Sequence, residues 1–310
     1  MVGDRQKFAG WGFINLNKPA GWTSHDCIAK LRRLLGLKKI GHGGTLDPMA
    51  TGVLPVAVGK ATRLLPYLPK AKVYKAVIRF GVRTATDDLE GAAIAEIPCP
   101  NLTLAEVTAQ LPKFRGKITQ IPPAFSAIKK DGKPLYELAR QGIEVEVPSR
   151  EVEILALNIL GWRSGDFPEL DLEVHCGEGT YIRAIARDLG VTLGTGATLA
   201  GLVRTASGGF SLEHSLTIEA IETQLEKQTF ICQRPNQLLQ HLHHLVLQEN
   251  QAIAWSFGQK IPWVAPPVAV GKALGVYDTA EQFLGIGEFK PSKTEADQLV
   301  LAPRLVMFGK

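Results

Sequence analysis

The chain predicts an α+β fold, and three observations carry the prediction. Strand-like and helix-like segments succeed one another without the regular alternation of a βαβ protein. At 310 residues and 45% hydrophobic, the chain can bury a full core and has length for one large domain and a small one. No internal repeat and no low-complexity linker divides it.

Taken in order, residues 12–16, GFINL, read as a short strand. Thr23 or Ser24 can cap a helix in which Ile28, Leu31, Leu34 and Leu35 recur at helical spacing, and Gly36 stops it. Its other face carries Lys30, Arg32 and Arg33, and Lys38 and Lys39 follow directly. Residues 53–58, VLPVAV, predict a buried strand interrupted by its proline. Residues 73–82 predict a long strand, TATDDLEG at 84–91 a turn, and 104–114 a helix. Residues 150–162 and 170–176 read as two strands across the turn-like SGDFP, and Gly179 opens a helix to Leu189. A strand over 199–204 and a helix over 217–227 precede a tail, from about His243, of short strands broken by glycine and proline. Charge in that tail is nearly balanced, which suits an accessory module.

The net charge of +5 is unevenly spread. Residues 1–80 hold fourteen Lys and Arg against Asp4, Asp26 and Asp47, a net +11, so the other 230 residues carry −6. Such asymmetry suits a polyanion partner, because each neutralised phosphate releases counterions; a solvated basic face is the plainer alternative. Cys27, Cys99, Cys176 and Cys232 are widely spaced, without a CxxC pair or clustered histidines, and read as reduced thiols in a cytoplasmic protein. No apolar run approaches a membrane span, and the first ten residues lack the apolar core of a secretory signal, so no membrane partner is expected.

Within the basic part, residues 41–55, GHGGTLDPMATGVLP, place Asp47 among four glycines and two prolines, with no other carboxylate between Lys30 and Asp87. A lone carboxylate there is poised to react with, or position, something anionic. GHGG lacks the GxxxxGK[ST] spacing of a phosphate loop, and His42 with Asp47 lacks the further ligands a metal needs. On pattern alone, Asp47 reads as the start of an Asp-Pro turn, because Pro48 fixes the next φ.

Five further blocks, in order, change that reading: GFINLNKPAGW at 12–22, VYKA at 73–76, GVRTATDDLEG at 81–91, QIPPAFSAIKKDGKPLYELARQG at 120–142 and CGEGTYIRAIARDLG at 176–190. Together with GHGGTLDPMATGVLP the chain resembles the tRNA pseudouridine-55 synthases, the TruB family, across residues 10–210. One departure is Gly43, where the family more often has threonine. The resemblance implies a pseudouridine synthase fold: a mixed, largely antiparallel sheet with flanking helices and an active-site cleft, then a small C-terminal PUA-like β module. It implies a catalytic domain over 1–242, with an RNA-clamping insert at about 120–145, and the module over 243–310.

The resemblance also assigns roles. Asp47 would be the nucleophile, adding to C6 of uracil or attacking C1′ while N1–C1′ breaks; both routes stay open. No metal, nucleotide or redox cofactor is needed, since C5 simply replaces N1 at C1′. Arg183 would hold the carboxylate ionised and lower its pKa, although alone it reads as an exposed helix arginine. Tyr74 would stack on uracil and remove the C5 proton, or else be a core tyrosine. His42 would contact RNA beside the flipped nucleotide, or be satisfied within its loop. Tyr181 and Leu202 would line the uracil pocket, Leu202 reading equally as core. Lys18 would bind substrate, or support the acid loop through a backbone carbonyl.

The implied partner is the tRNA T-arm stem-loop. Lys30, Arg32, Arg33, Lys38 and Lys39 would follow its backbone, and Lys129, Lys130, Lys133 and Arg140 would form a second clamp. A monomer without an obligatory protein partner is expected. Two alternatives remain: the catalytic subunit of a guide-RNA-dependent synthase, and a non-catalytic tRNA-binding or folding protein.

Overall fold

The structure, a computed structural model, describes residues 8–125, 147–292 and 298–307, and the backbone alone at 129–130 and 133–134. Strand β1 (Gly12–Lys18) leads into helix α1 (Ser24–Leu35). Thr23 caps α1: its hydroxyl accepts from the Asp26 N–H at 3.1 Å, and the Asp26 carboxylate accepts from the Thr23 N–H at 2.9 Å. This exchange satisfies donors that the first turn leaves open. Gly36 ends the helix in the left-handed region, at φ 65°.

Strands β2 (Ile40–His42) and β3 (Thr51–Val58) flank the acid loop. Pro55 does not interrupt β3, which pairs with β1 along its length, Asn15 opposite Pro55. In a strand, a residue's N–H and C=O point to the same edge. Pro55's carbonyl accepts from Gly43 at 2.8 Å, so its missing donor falls just past the end of β2, where no ladder bond is lost. A 3-10 segment, Gly59–Tyr67, precedes β4 (Lys72–Phe80), and β5 (Val82–Thr84) pairs with β6 (Ala93–Glu96). Helix α2 (Leu104–Gln110) gives way to a 3-10 turn at Leu111–Phe114, where Pro112 has no N–H for another α turn.

Then come β7 (Gly116–Gln120), the short pair β8 (Lys129–Lys130) and β9 (Lys133–Pro134), β10 (Arg150–Arg163) and β11 (Glu169–Cys176). Helix α3 (Ile182–Leu193) starts after Tyr181 rather than at Gly179, and β12 (Ala197–Ser207), β13 (Phe210–Ser211), α4 (Ile218–Glu226) and α5 (Pro235–Leu238) follow. Among the described residues one nine-stranded sheet runs β1-β3-β12-β4-β11-β10-β7, with β2 beside β3 and β13 beside β12. Its strand pairings are antiparallel except that of β12 with β3. Helix α1 buries its apolar stripe against Leu16, Leu54 and Val56, and α3 packs Ile185 and Leu189 near Ala76, Ile78 and Leu199.

A second sheet, β14-β16-β17-β18-β15, is built from β14 (His243–Val246), β15 (Ile261–Trp263), β16 (Ala273–Tyr277), β17 (Phe283–Pro291) and β18 (Leu299–Val306). Helix α6 (Glu249–Ser256) crosses it, an element the sequence did not suggest. Only Trp255 of α6 is buried, its indole N–H donating to the Leu284 carbonyl at 3.3 Å, so no apolar period marks the helix. Tyr277, Phe283, Ile286 and Leu305 join Phe13, Ala57, Leu64 and Phe210 in one apolar cluster, which fixes the second sheet against the first.

Candidate active site

The parallel pairing of β12 with β3 organises the site. Val203 and Arg204 of β12 lie beside Thr51 and Gly52 of β3. A Cβ on Gly52, at φ 102°, would stand 2.3 Å from the Arg204 carbonyl oxygen, so only glycine allows this approach. The Arg204 side chain, 0% exposed, crosses beneath the acid loop. Its Nε donates to Val53 O at 2.7 Å, Nη2 to Gly44 O at 3.0 Å and Nη1 to Thr45 O at 3.4 Å.

Other groups hold the rest of the loop. Ser24 Oγ accepts from the Leu46 N–H at 2.9 Å, and Gly21 N–H donates to Pro48 O at 2.9 Å. Asp47 O accepts from the Ala50 N–H at 3.1 Å, so the Asp-Pro turn exists and is the support of the acid. Lys18, 0% exposed, donates from Nζ to Pro19 O at 2.8 Å, Trp22 O at 2.6 Å and Pro48 O at 3.1 Å. Three carbonyls use all three ammonium donors, which corrects the substrate-binding expectation for Lys18: it fastens the loop from below. Burial there lowers its pKa, while Asp47 is among the charges that oppose the shift.

Asp47 opens into a cleft of ≈ 1290 Å³ that Tyr74, Tyr181, Leu202, Arg183 and Phe125 also line. Arg183 comes from α3, 136 residues away in sequence, and is 5% exposed. Its Nη2 donates to Asp47 Oδ1 at 3.1 Å, and Nε faces Oδ2 at 3.0 Å in an ion-pair contact. Nη1 reaches Thr86 O at 3.0 Å and Asp88 Oδ2 at 3.3 Å, and Nη2 also reaches Phe125 O at 3.1 Å. Asp88 is itself buried and held by Thr86 Oγ1 and by the Glu90 N–H at 3.1 Å.

Arg183 does not lower the pKa of Asp47 below the ordinary range. Although 34% of the Asp47 side chain faces the cleft, its enclosure on the other sides pushes the carboxyl up; Asp88 adds to this, and Arg183 opposes it without overcoming it. Burial also raises the Tyr74 phenol, while the Arg204 guanidinium hydrogen-bonded to it pulls the other way. At neutral pH Tyr74 is therefore a neutral phenol.

Tyr181 is set by Gln120 of β7, whose buried amide clamps its backbone: Nε2 donates to Tyr181 O at 3.3 Å and Oε1 accepts from Tyr181 N at 3.1 Å. Arg150 lies 5.6 Å from its ring centroid. Leu202 is buried at the cleft wall. His42 sits beside rather than in this lining, its ring edge-on to His25 at 5.8 Å, and burial lowers its pKa, so it is neutral at pH 7.

The basic residues of α1 divide. Half-buried Lys30 pairs with Glu222 of α4 at 2.6 Å, and Arg32 spends Nη2 on Ile40 O at 2.9 Å. Arg33, Lys38 and Lys39 are exposed. The side chains of Lys129, Lys130 and Lys133, and all of Arg140, lie outside the described residues. The sequence reading missed Arg204, Asp88 and Gln120. For Arg204 the signal was present: an arginine inside an apolar strand is seldom buried unless its donors are spent.

The TruB family pseudouridylate synthase N-terminal domain matches residues 32–182, and the C-terminal region of pseudouridine synthase II TruB matches residues 244–304. A protein of Trichormus variabilis named tRNA pseudouridine synthase B is 54% identical over 295 residues, covering 95% of this chain and 98% of the relative. Its namesake in Synechocystis sp. is 53% identical over 299 residues, covering 96% and 99%. Among solved structures, a Cbf5–Nop10–Gar1 complex gives a TM-score of 0.73 at 23% identity, over 99% of this chain and 92% of that one. The Nop10–Cbf5 complex of an archaeal box H/ACA sRNP gives 0.69 at 22%, over 99% and 94%. These structural likenesses establish the pseudouridine synthase fold. With family matches in both its parts and relatives half identical over nearly their whole length, the chain belongs to the TruB family of pseudouridine synthases.

Proposed function

We propose that this chain is a stand-alone isomerase that converts uridine to pseudouridine in the T loop of tRNA, at position 55. It acts in the cytoplasm as a monomer, without guide RNA or protein partner. The observation that carries this reading is the Asp47–Arg183 pair in a cleft roomy enough for a flipped nucleotide, in a chain whose relatives named tRNA pseudouridine synthase B match it nearly end to end.

The target uridine must leave its stack to reach Asp47, at a cost of a few kcal/mol that contacts with Tyr181 and Leu202 offset. Asp47, ionised and turned by Arg183, attacks C6 or C1′. The N1–C1′ bond breaks, the base turns within the cleft, C5 joins C1′, and the bond to Asp47 breaks with its electron pair returning to the carboxylate. The C5 proton then leaves and N1 carries a proton in the product, so the sum is an isomerisation. Tyr74 acts from its neutral form: it can take the C5 proton only as its own proton is handed on, and the nearby Arg204 charge favours the transient phenolate.

Exposed Arg33, Lys38 and Lys39, with the insert lysines and Arg140, follow the stem phosphates, while the splayed loop bases supply sequence information. Residues 1–242 form the catalytic domain, and the sheet from 243 onward is a PUA-like module that extends the RNA contact. The test is tritium release from a T-arm stem-loop labelled at uridine C5, with purified chain and no guide RNA. Release with formation of pseudouridine is expected. Release only with a guide would assign the chain to the guide-dependent class, and binding without release would make it an RNA-binding or folding protein.

A further inference from the structure

One turn after Arg183, on the same face of α3, stands Arg187. Arg187 Nη1 meets Asp87 Oδ2 at 3.0 Å, and Nη2 donates to Ile121 O at 2.8 Å; its Nε meets the adjoining Asp188 Oδ1 at 2.8 Å. The two arginines thus span the same two segments. Arg183 holds Thr86, Asp88 and Phe125, and Arg187 holds Asp87 and Ile121. One segment is the loop between β5 and β6, and the other is the stretch that leads into the basic insert.

Asp87 shows that the loop is held in a conformation it would not choose. Its φ is 60°, a left-handed geometry that costs a non-glycine residue roughly 1 kcal/mol. Such a residue persists where its surroundings over-determine it. Here the Asp87 carbonyl accepts from Leu199 N–H at 3.0 Å, Leu89 N–H donates to Leu199 O at 3.2 Å, and Arg187 takes the carboxylate. The Asp87 side chain is 17% exposed and that of Arg187 27%, so the pair is better shielded than an open surface bridge.

We propose that Arg187 is a positioning residue for the isomerisation. By fixing Asp87 and Ile121 it sets the loop and the insert root where Asp88 and Phe125 O can meet Arg183, and Arg183 then presents a fixed guanidinium to Asp47. Arg187 acts through these anchors and makes no contact with the reacting atoms. The inference rests on the isomerase reading, and one set of measurements separates the two.

Single-turnover conversion of the T-arm stem-loop and its dissociation constant are measured for the parent, Arg187→Ala, Arg187→Lys, Asp87→Asn and the Arg187→Ala/Asp87→Asn double variant. Misplacing a catalytic group by a fraction of an ångström predicts a single-turnover rate about tenfold lower for Arg187→Ala, with affinity within about threefold of the parent. Arg187→Lys recovers part of the rate, since it keeps the charge but not the fork. The double variant is no slower than the slower single, because the pair acts as one unit. Where Arg187→Ala does not fold, Asp87→Asn decides, since asparagine tolerates the left-handed backbone and leaves the bond to Ile121. Parental rates in both single variants, additive losses in the double, or rate and affinity falling together overturn the proposal. A parent that isomerises beside equally fast variants overturns this inference alone, and a parent that binds without isomerising overturns the isomerase reading and this inference with it.

Discussion

As the proposed nucleophile, Asp47 must be ionised in a place that resists ionisation. Enclosure raises its carboxyl above the usual range of about 3.9, and Arg183 restrains the shift. The working form is the anion, so activity is lost as pH falls through this raised value. The acid limb of the single-turnover rate is therefore expected above pH ~3.9, and Arg183→Gln should move it higher still, because the opposing cation is gone. A pH–rate profile of both proteins checks this; a limb at or below the ordinary carboxylate value contradicts it. Lys18 is the opposite case, a charge wholly used within the protein. Lys18→Met would leave three carbonyls without their donor, so chemical denaturation should show a loss of about 3 kcal/mol, with the salt dependence of RNA binding unchanged. The sequence left both readings of Lys18 open, because nothing local shows that residues 19–22 and Pro48 fold back over its ammonium.

At the scale of elements, strands β10 and β11 were legible almost to the residue, since β11 alternates buried and half-exposed positions along its length. Helix α1 was legible from its cap, apolar stripe and terminal glycine. The parallel seam between β3 and β12 was not, because its register joins residues about 150 apart and no local pattern encodes it. Gly52 and Arg204 are the two residues that seam requires. Gly52→Ala should cost about 2 kcal/mol or more, from a strained φ and a Cβ against the Arg204 carbonyl, and should slow isomerisation by shifting the loop that carries Asp47. Urea denaturation together with single-turnover kinetics measures both effects; unchanged stability would mean the strands separate freely there. Likewise, Arg183 could be placed beside Asp47 only through the family resemblance, since the residues between them hide the contact.

Over the whole molecule, the basic excess of the first 80 residues was visible in composition, but its division was not. Lys18 turns inward, Lys30 pairs with α4, and Lys38 and Lys39 remain at the surface. Replacing Lys38 and Lys39 together by alanine should weaken T-arm binding and reduce the salt slope by about 2, as two phosphate contacts are lost. An unchanged slope in a titration over salt would remove them from the RNA surface. Across the whole site, sheet, loop and α3 converge on one carboxylate, Asp47, the proposed nucleophile. The most direct measurement of that role is single-turnover tritium release by Asp47→Asn beside the parent, with RNA affinity determined for both. No release above background is predicted, with affinity within about threefold of the parent, because Asn keeps the shape but not the nucleophile. Release by Asp47→Asn at the parental rate would contradict the account.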